Sequence, residues 1–481
     1  MENRITEKGN FWFVENLNYK VYGKLALAER VSRTDFRKSG HETREAIEYM
    51  VNNIINQYKL EEKIKSKINQ KNANNSGQKY KDQFDLKNKI QYLSDEAFLK
   101  DMNCLRGNNK TILPSLGEVQ YKCEDGSTST CDYYDFMRKF GNSCSHSENK
   151  PRNPLINYEN VIRCLKGYHL LLRKYYSDKI SKDTPAFNEN LMPIEDEYHI
   201  YNAYVPSDTS RSKCMKEFLG YIKDSQGEKA FYVVLRMYNK ADLNQKFILR
   251  NADTFVEASK LSISSVPEGM TRMVEVTKYG DNNSSFYIIG YIFNKEPQML
   301  TDNILKSIDL GKRVKMCRRI ADCFYNLHTS EVPIYHRMLS YESIYVCDYG
   351  KEWAPYAIKF DFAKIDYGDV ARTVIEDAVR AKSKVRELKK LKYLAPEWNI
   401  GQESSQRDWA KMDIYSLGIL FSDILIGKID TKAASLDELE ELGLSDDVLD
   451  LLDVIRADSP QVRSDIQEVQ LVLEEEARKW R

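Results

Sequence analysis

The sequence predicts an α+β protein of more than one domain, and three observations carry that reading. Its 481 residues, 42% of them hydrophobic, exceed the roughly 250–300 residues at which single cores stop growing. Apolar residues recur at helical spacing over 46–58 and 161–176, so the first part of the chain reads as mostly α. Farther on, the run AFYVVLRMY (230–238) is continuous, β-branched and aromatic, the pattern of a buried strand.

Taken in order, DFRKSGHETREAIE (35–48) leads into the helical pattern of 46–58. The Asn- and Lys-rich stretch 61–90 predicts a helical hairpin or an insertion. The amphipathic stretch 161–176 closes this part. Between Tyr176 and Ile200 the chain turns polar and carries Pro185 and Pro193, which places a linker there. No internal repeat is evident.

Composition excludes several classes. Lys+Arg and Asp+Glu both number 72, a net charge of +0, so no global field recruits nucleic acid and any RNA site must be a local patch. No apolar run is long enough to span a membrane, and the start MENRITEKG lacks the apolar core of a signal peptide. The 9 Cys are odd in number and scattered, without Cys-x-x-Cys pairs, and the 6 His show no metal-ligand spacing with them. A reduced cytoplasmic location without a structural metal is the expectation.

The stretch IYHRMLSYESIYV (334–346) carries the most chemistry. It follows His-Arg-Asp-Leu-x-x-x-x-Asn, in which the Asp accepts the substrate hydroxyl proton and the Asn helps hold Mg²⁺. Those two slots read Met338 and Ser343. Other landmarks stand in matching order: NLH (326–328) before it, KFDFAK (359–364) with Asp361 in a metal slot and Ala363 in place of Gly, APE (395–397), and DIYSLGIL (413–420). This series resembles the protein kinase-like superfamily over roughly 195–481. The resemblance implies a two-lobed domain, an amino-terminal lobe at 196–300 and a carboxy-terminal lobe at 301–481. It implies that His336 and Arg337 brace the loop, and that Glu397, Asp413 and Arg463 are architectural, with Arg463 paired to Glu397. For Asp361 a turn or capping role is the plain alternative.

The amino-terminal lobe departs further from that pattern. YNAYVPSDTS (201–210) has no glycine with which to approach a phosphate closely. Arg236 stands where the resemblance puts the ATP-contacting Lys, with Glu257 as its expected partner. A planar guanidinium does not occupy the space of a compact ammonium. A general base contributes about 10²–10⁴-fold, so losing it with one metal ligand predicts very slow phosphoryl transfer. Arg236, Glu257 and Asp361 are thus the candidates for a degenerate site for ATP and Mg²⁺. The basic run within 374–392 is read as a solvated helix face or as a surface for an acidic partner or RNA phosphate.

In the first part, FMRKFGNSCSH (136–146) resembles the Leu-Arg-x-Ile-Gly-Asn-x-x-x-His segment of bacterial HEPN-type helical domains, with 35–48 like their first helix. The resemblance covers about 30–180 and implies an all-α HEPN-like domain over 1–180, with an insertion near 61–90 and a linker at 181–195. Active members cleave RNA without metal, across a dimer, using an Arg and a His with four to six residues between them. The His serves as acid or base near neutrality while the Arg stabilises phosphate charge. Arg138, Asn142 and His146 are the candidates. Arg138 and His146 have seven residues between them, whereas Lys139 has the spacing but is not Arg. A helix-to-helix tie through Asn142 and His146 is the structural alternative.

Together these resemblances imply a catalytically impaired kinase-like sensor or scaffold, meeting a protein partner, fused to a HEPN-like effector or homodimerisation domain of bacterial stress or antiphage defence. Two enzymatic alternatives stand beside it. One is a metal-independent ribonuclease held in check by the kinase-like part. The other is an unconventional Ser/Thr kinase using Asp361 and a substitute base.

Overall fold

The computed structural model describes residues 2–74, 83–104, 111–146, 153–195, 197–206, 214–242, 269, 271–277, 285–330, 333–360, 363–365, 392–398 and 408–480. The chain divides into two units, Met1–Ala203 with Gly280–Phe286, and Tyr204–Tyr279 with Tyr287–Arg481. Glu257, Asp361, residues 207–210 and nearly all of the basic run before Lys392 lie outside the described residues.

The first unit is built from helices α1 (Glu2–Lys8), α2 (Tyr19–Arg30), α3 (Phe36–Gln57), α4 (Glu61–Asn74), α5 (Leu86–Leu93), α6 (Glu96–Asp101), α7 (Tyr133–His146) and α8 (Tyr158–Tyr175). Side chains of Asp35 and Asn157 accept backbone N–H groups at the starts of α3 and α8, caps worth about 1 kcal/mol each. The stretches 35–48 and 46–58 form one helix, α3. It buries Ala46, Ile47, Met50, Val51, Ile54 and Ile55 at the expected spacing. Two glycines let α3 and α7 approach: a Cβ at Gly40 would overlap Cys144 Sγ, and one at Gly141 would lie 2.7 Å from Arg44 Cβ.

Two expectations need correction here. The unit is not all-α, because β1 (Glu118–Lys122) and β2 (Thr128–Asp132) form an antiparallel hairpin. Val119 and Tyr121 are buried between exposed Glu118, Gln120 and Lys122, and Gly126 supplies a φ of 83° in the turn. The segment 181–195, expected as a linker, is part of this unit. Leu191, Met192 and Ile194 are buried, and the buried Arg33 donates to Glu189 O at 2.6 Å and Met192 O at 3.0 Å.

β3 (His199–Tyr204) carries the chain into the second unit, where β4 (Cys214–Lys223), β5 (Lys229–Asn239), β6 (Arg272–Thr277) and β7 (Phe286–Phe293) lie side by side in the order β4-β5-β7-β6. There follow β8 (Pro297–Met299), helices α9 (Asp302–Ser307) and α10 (Leu310–His328), and the short strands β9 (Ile334–Tyr335), β10 (Ile344–Asp348), β11 (Trp353–Ala357) and β12 (Lys364–Ile365). The chain closes with α11 (Trp409–Ile426), α12 (Leu436–Glu440), α13 (Asp446–Ile455) and α14 (Ile466–Lys479).

The main core of this unit runs from Val234 and Tyr291 through Phe324 and Leu327 to Leu420 and Leu473, with smaller clusters around Tyr238 and Trp409. α11 is apolar nearly all round and buried accordingly, and it stops at Gly427, whose φ of 79° suits a left-handed cap. Among the described residues no helix is long and apolar enough to cross a membrane.

Candidate functional site

The loop 336–343 joins β9 to β10, and Asp413 near the start of α11 fixes its shape. Asp413 Oδ2 accepts the His336 N–H at 2.7 Å and Oδ1 accepts the Arg337 N–H at 2.7 Å, while His328 Nε2 stands 3.1 Å from Oδ2. Arg337 has a φ of 64°, a left-handed conformation that costs a non-glycine residue about 1–2 kcal/mol. Charge-assisted bonds from a buried carboxylate offset that strain. The Arg337 guanidinium sits 4.8 Å from the centroid of the Trp409 ring.

His336 is fully buried, and its Nε2 lies 2.9 Å from Ile358 O. A carbonyl only accepts, so Nε2 carries the proton. Burial also pushes the His336 pKa down, which keeps the ring neutral as a brace. Met338, where the sequence resemblance expects a base, packs against the cluster of Ala395, Trp409 and Met412. A thioether takes no proton at neutral pH, so that position offers no general base. Ser343 Oγ reaches Met338 O at 3.5 Å.

A buried polar cluster centres on Glu217 of β4. Glu217 and Arg236 are opposite each other in the β4–β5 register, and both are 0% exposed. Arg236 Nη1 is 3.4 Å from Glu217 Oε1, and Lys359 Nζ is 3.1 Å from the same oxygen and 3.9 Å from Glu342 Oε2. Arg236 Nε donates to Tyr238 OH at 2.8 Å. Tyr204 OH reaches Glu217 Oε2 at 3.2 Å and also bonds Tyr345 OH, which lies 3.5 Å from that carboxylate. Two hydroxyl protons serve these three contacts, so the shorter arrangement has Tyr345 donating to Tyr204 and Tyr204 to Glu217. Burial, with the Glu217 carboxylate adding to it, raises both phenols well above their ordinary pKa and keeps them donors.

Lys359 also departs from ordinary backbone, with a φ of 67°. Tyr291 OH accepts its N–H at 3.1 Å and that of Phe360 at 3.2 Å, holding the turn that leads toward Asp361. Arg236 thus stands in the described structure as a buried partner of Glu217 and Tyr238, with no solvent-facing surface to offer a phosphate. Sequence reasoning missed Glu217, Lys359, Tyr204 and Tyr345. In KEFLGYIK (216–223) Glu217 follows Lys216 at the head of the apolar run, and nothing local marks it as buried.

The residues read as architecture are brought together. Arg463 Nη1 and Nη2 bond Glu397 Oε1 and Oε2 at 2.7 and 2.9 Å, a bidentate pair buried on both sides. The same guanidinium donates to Ala457 O, Asp458 O and Lys411 O.

In the first unit, Arg138, Asn142 and His146 are spaced four apart on α7 and so share one face. Arg138 Nη2 is 2.7 Å from Asp135 Oδ1, and Lys139 Nζ is 2.8 Å from Asp135 Oδ2. Arg138, Lys139 and Asn142 line a groove of about 500 Å³ with Tyr121, Cys123 and Glu124 of the hairpin. His146 ends α7, and its side chain lies outside the described residues.

No protein-family model and no curated protein matches this chain. Among solved structures it is similar to the kinase domain of Mycobacterium tuberculosis PknI, in a double-mutant form, at 12% identity and a TM-score of 0.38. That match covers 59% of this chain and 96% of the kinase domain.

Proposed function

We propose that the second unit is a catalytically impaired protein kinase-like scaffold or sensor that works through protein contacts. The observation that carries this reading is the pairing of Met338, in the base slot, with a buried Glu217–Arg236–Lys359 cluster where a nucleotide's phosphates would need exposed cations. The Asp413-held loop and the Glu397–Arg463 pair support a kinase-like framework kept without the base. In the same reading the first unit is a HEPN-like effector or homodimerisation domain, and the chain acts in the cytoplasm in bacterial stress or antiphage defence.

The test is a thermal-shift titration with ATP, with and without Mg²⁺, on the wild type and Asp361→Asn, because a ligand that binds only the folded state raises its stability. The expected result is no shift at millimolar ATP and no transfer of labelled phosphate. A Mg²⁺-dependent shift lost in Asp361→Asn would replace this reading with a nucleotide-responsive switch or an unconventional kinase.

The groove beside Arg138, Lys139 and Asn142 favours a second reading of the first unit, a metal-independent ribonuclease acting on RNA as a dimer. RNA cleavage lost in His146→Ala would support it, and cleavage unchanged in that variant would end it.

A further inference from the structure

We infer that a basic groove on the second unit, lined by no residue of the loop 336–343 or of the Glu217 cluster, docks an acidic peptide segment of a partner protein. The groove measures about 630 Å³ and is formed by the first turns of α10, the turn between β10 and β11, and the end of α14. Its cations are Lys312, Lys315, Arg318, Arg319, Lys351 and Arg478, against the anions Asp309, Glu352 and Glu474. Six positive and three negative groups line it, and Asp322, 3.0 Å from Arg318 Nη2, brings the local balance to +2 on a chain whose net charge is +0. That is a local field, and it selects anions.

Position on the helix makes the field directional. Lys312, Lys315 and Arg319 recur at helical spacing and share one face of α10. They span roughly 10 Å at 1.5 Å per residue, about the reach of three or four extended residues. Existing pairs set the floor: Arg319 Nη2 meets Glu352 Oε2 at 2.8 Å, Arg318 Nε meets Glu474 Oε2 at 3.5 Å, and Arg478 Nη2 meets Glu474 Oε1 at 3.2 Å. Lys315 and Lys351 are exposed and have no ion-pair partner among the described residues. They are the charges left for an incoming carboxylate.

The same geometry favours peptide over nucleic acid. Three carboxylates interleaved with the cations oppose an evenly charged phosphate backbone, whereas discrete Asp and Glu side chains can fall between them. Single-stranded nucleic acid also needs aromatic faces on which bases stack. The Trp480 ring lies 3.4 Å from the place a Gly311 Cβ would take, and its Nε1 donates to Glu476 Oε1 at 2.8 Å. Trp353 packs against the main core. Both indoles are already engaged.

The test uses the full chain and a fluorescein-labelled peptide of alternating Glu and Gly, followed by anisotropy at low and high salt. Lys315→Glu/Lys351→Glu is compared with Lys63→Glu on α4, an exposed lysine of the other unit. Both reversals are of exposed side chains, and unchanged melting of each variant verifies the fold. The expected result is salt-sensitive binding that weakens by about tenfold or more in the double variant and stays unchanged in the control. Absence of peptide binding by the wild type, or equal binding by the double variant, would overturn the inference. So would tighter binding of a short oligouridylate that is lost in the same double variant, which would make the groove a nucleic-acid site.

Discussion

Asp413 holds Arg337 in a left-handed backbone conformation by accepting its N–H at 2.7 Å, and its other oxygen fixes the neighbouring His336 N–H at the same distance. The loop therefore keeps its shape through a carboxylate on a buried helix. Asp413→Asn puts an amide NH₂ against one of those N–H groups. It should destabilise the second unit by about 1–3 kcal/mol, the cost of a buried donor left unmet. Urea denaturation measures the loss, and faster hydrogen exchange at residues 336 and 337 localises it.

The Glu397–Arg463 pair makes a second prediction, because breaking a buried pair differs from replacing it. Arg463→Met leaves Glu397 buried without its partner and should cost about 3–5 kcal/mol. Adding Glu397→Met should recover part of that loss. A double-mutant cycle read by thermal melting checks the sign of the coupling.

Glu217 faces two cations, so neutralising it should cost more than neutralising a surface carboxylate. Glu217→Gln removes the carboxylate that buried Arg236 and Lys359 share and should lower stability by about 3–5 kcal/mol. Combining it with Arg236→Met should restore part of the stability. If Glu217→Gln alone melts like the wild type, the cluster is not what closes this region.

The first unit should show opposed pH dependences that nearly cancel. Burial raises the Glu29 pKa from 4.5 to about 7 despite the Asn10 hydrogen bonds, and burial lowers that of His169 from 6.5 to about 4. Glu29's contribution is full below about 4.5 and is lost as pH rises through about 7. That of His169 is full above 6.5 and is lost as pH falls through about 4. Each shift corresponds to about 3 kcal/mol. The hydrogen-exchange protection of α2 and α8, corrected for the pH dependence of intrinsic exchange, should therefore vary little across this range in the wild type. His169→Phe should leave stability falling as pH rises, and Glu29→Gln should leave it rising.

Much of the second unit's framework was legible because it depends on a series of local motifs in fixed order. Glu397 and Arg463 could be paired from that order, although 66 residues separate them. The Glu217 cluster was not legible, since it joins residues of β3, β4 and β5 to Tyr345 and Lys359, and no local pattern encodes such long-range contacts. The β1–β2 hairpin was readable in principle, from its alternation and Asp125-Gly126, but the helical pattern on both sides drew the reading to α. Of the ribonuclease candidates, the shared helix face of Arg138 and Asn142 follows from spacing alone. The Asp135 tie that orients Arg138 had to be seen in the structure.

The two carbonyls that accept from buried Arg33 also decide where the first unit can be cut. A fragment ending at residue 180 would remove Glu189 and Met192, whose carbonyls accept from a buried guanidinium. An excised first unit that folds as it does in the whole chain has to carry its amino acids through at least Ile194, whose side chain is fully buried. Limited proteolysis should accordingly leave the 188–194 stretch attached to the helices before it.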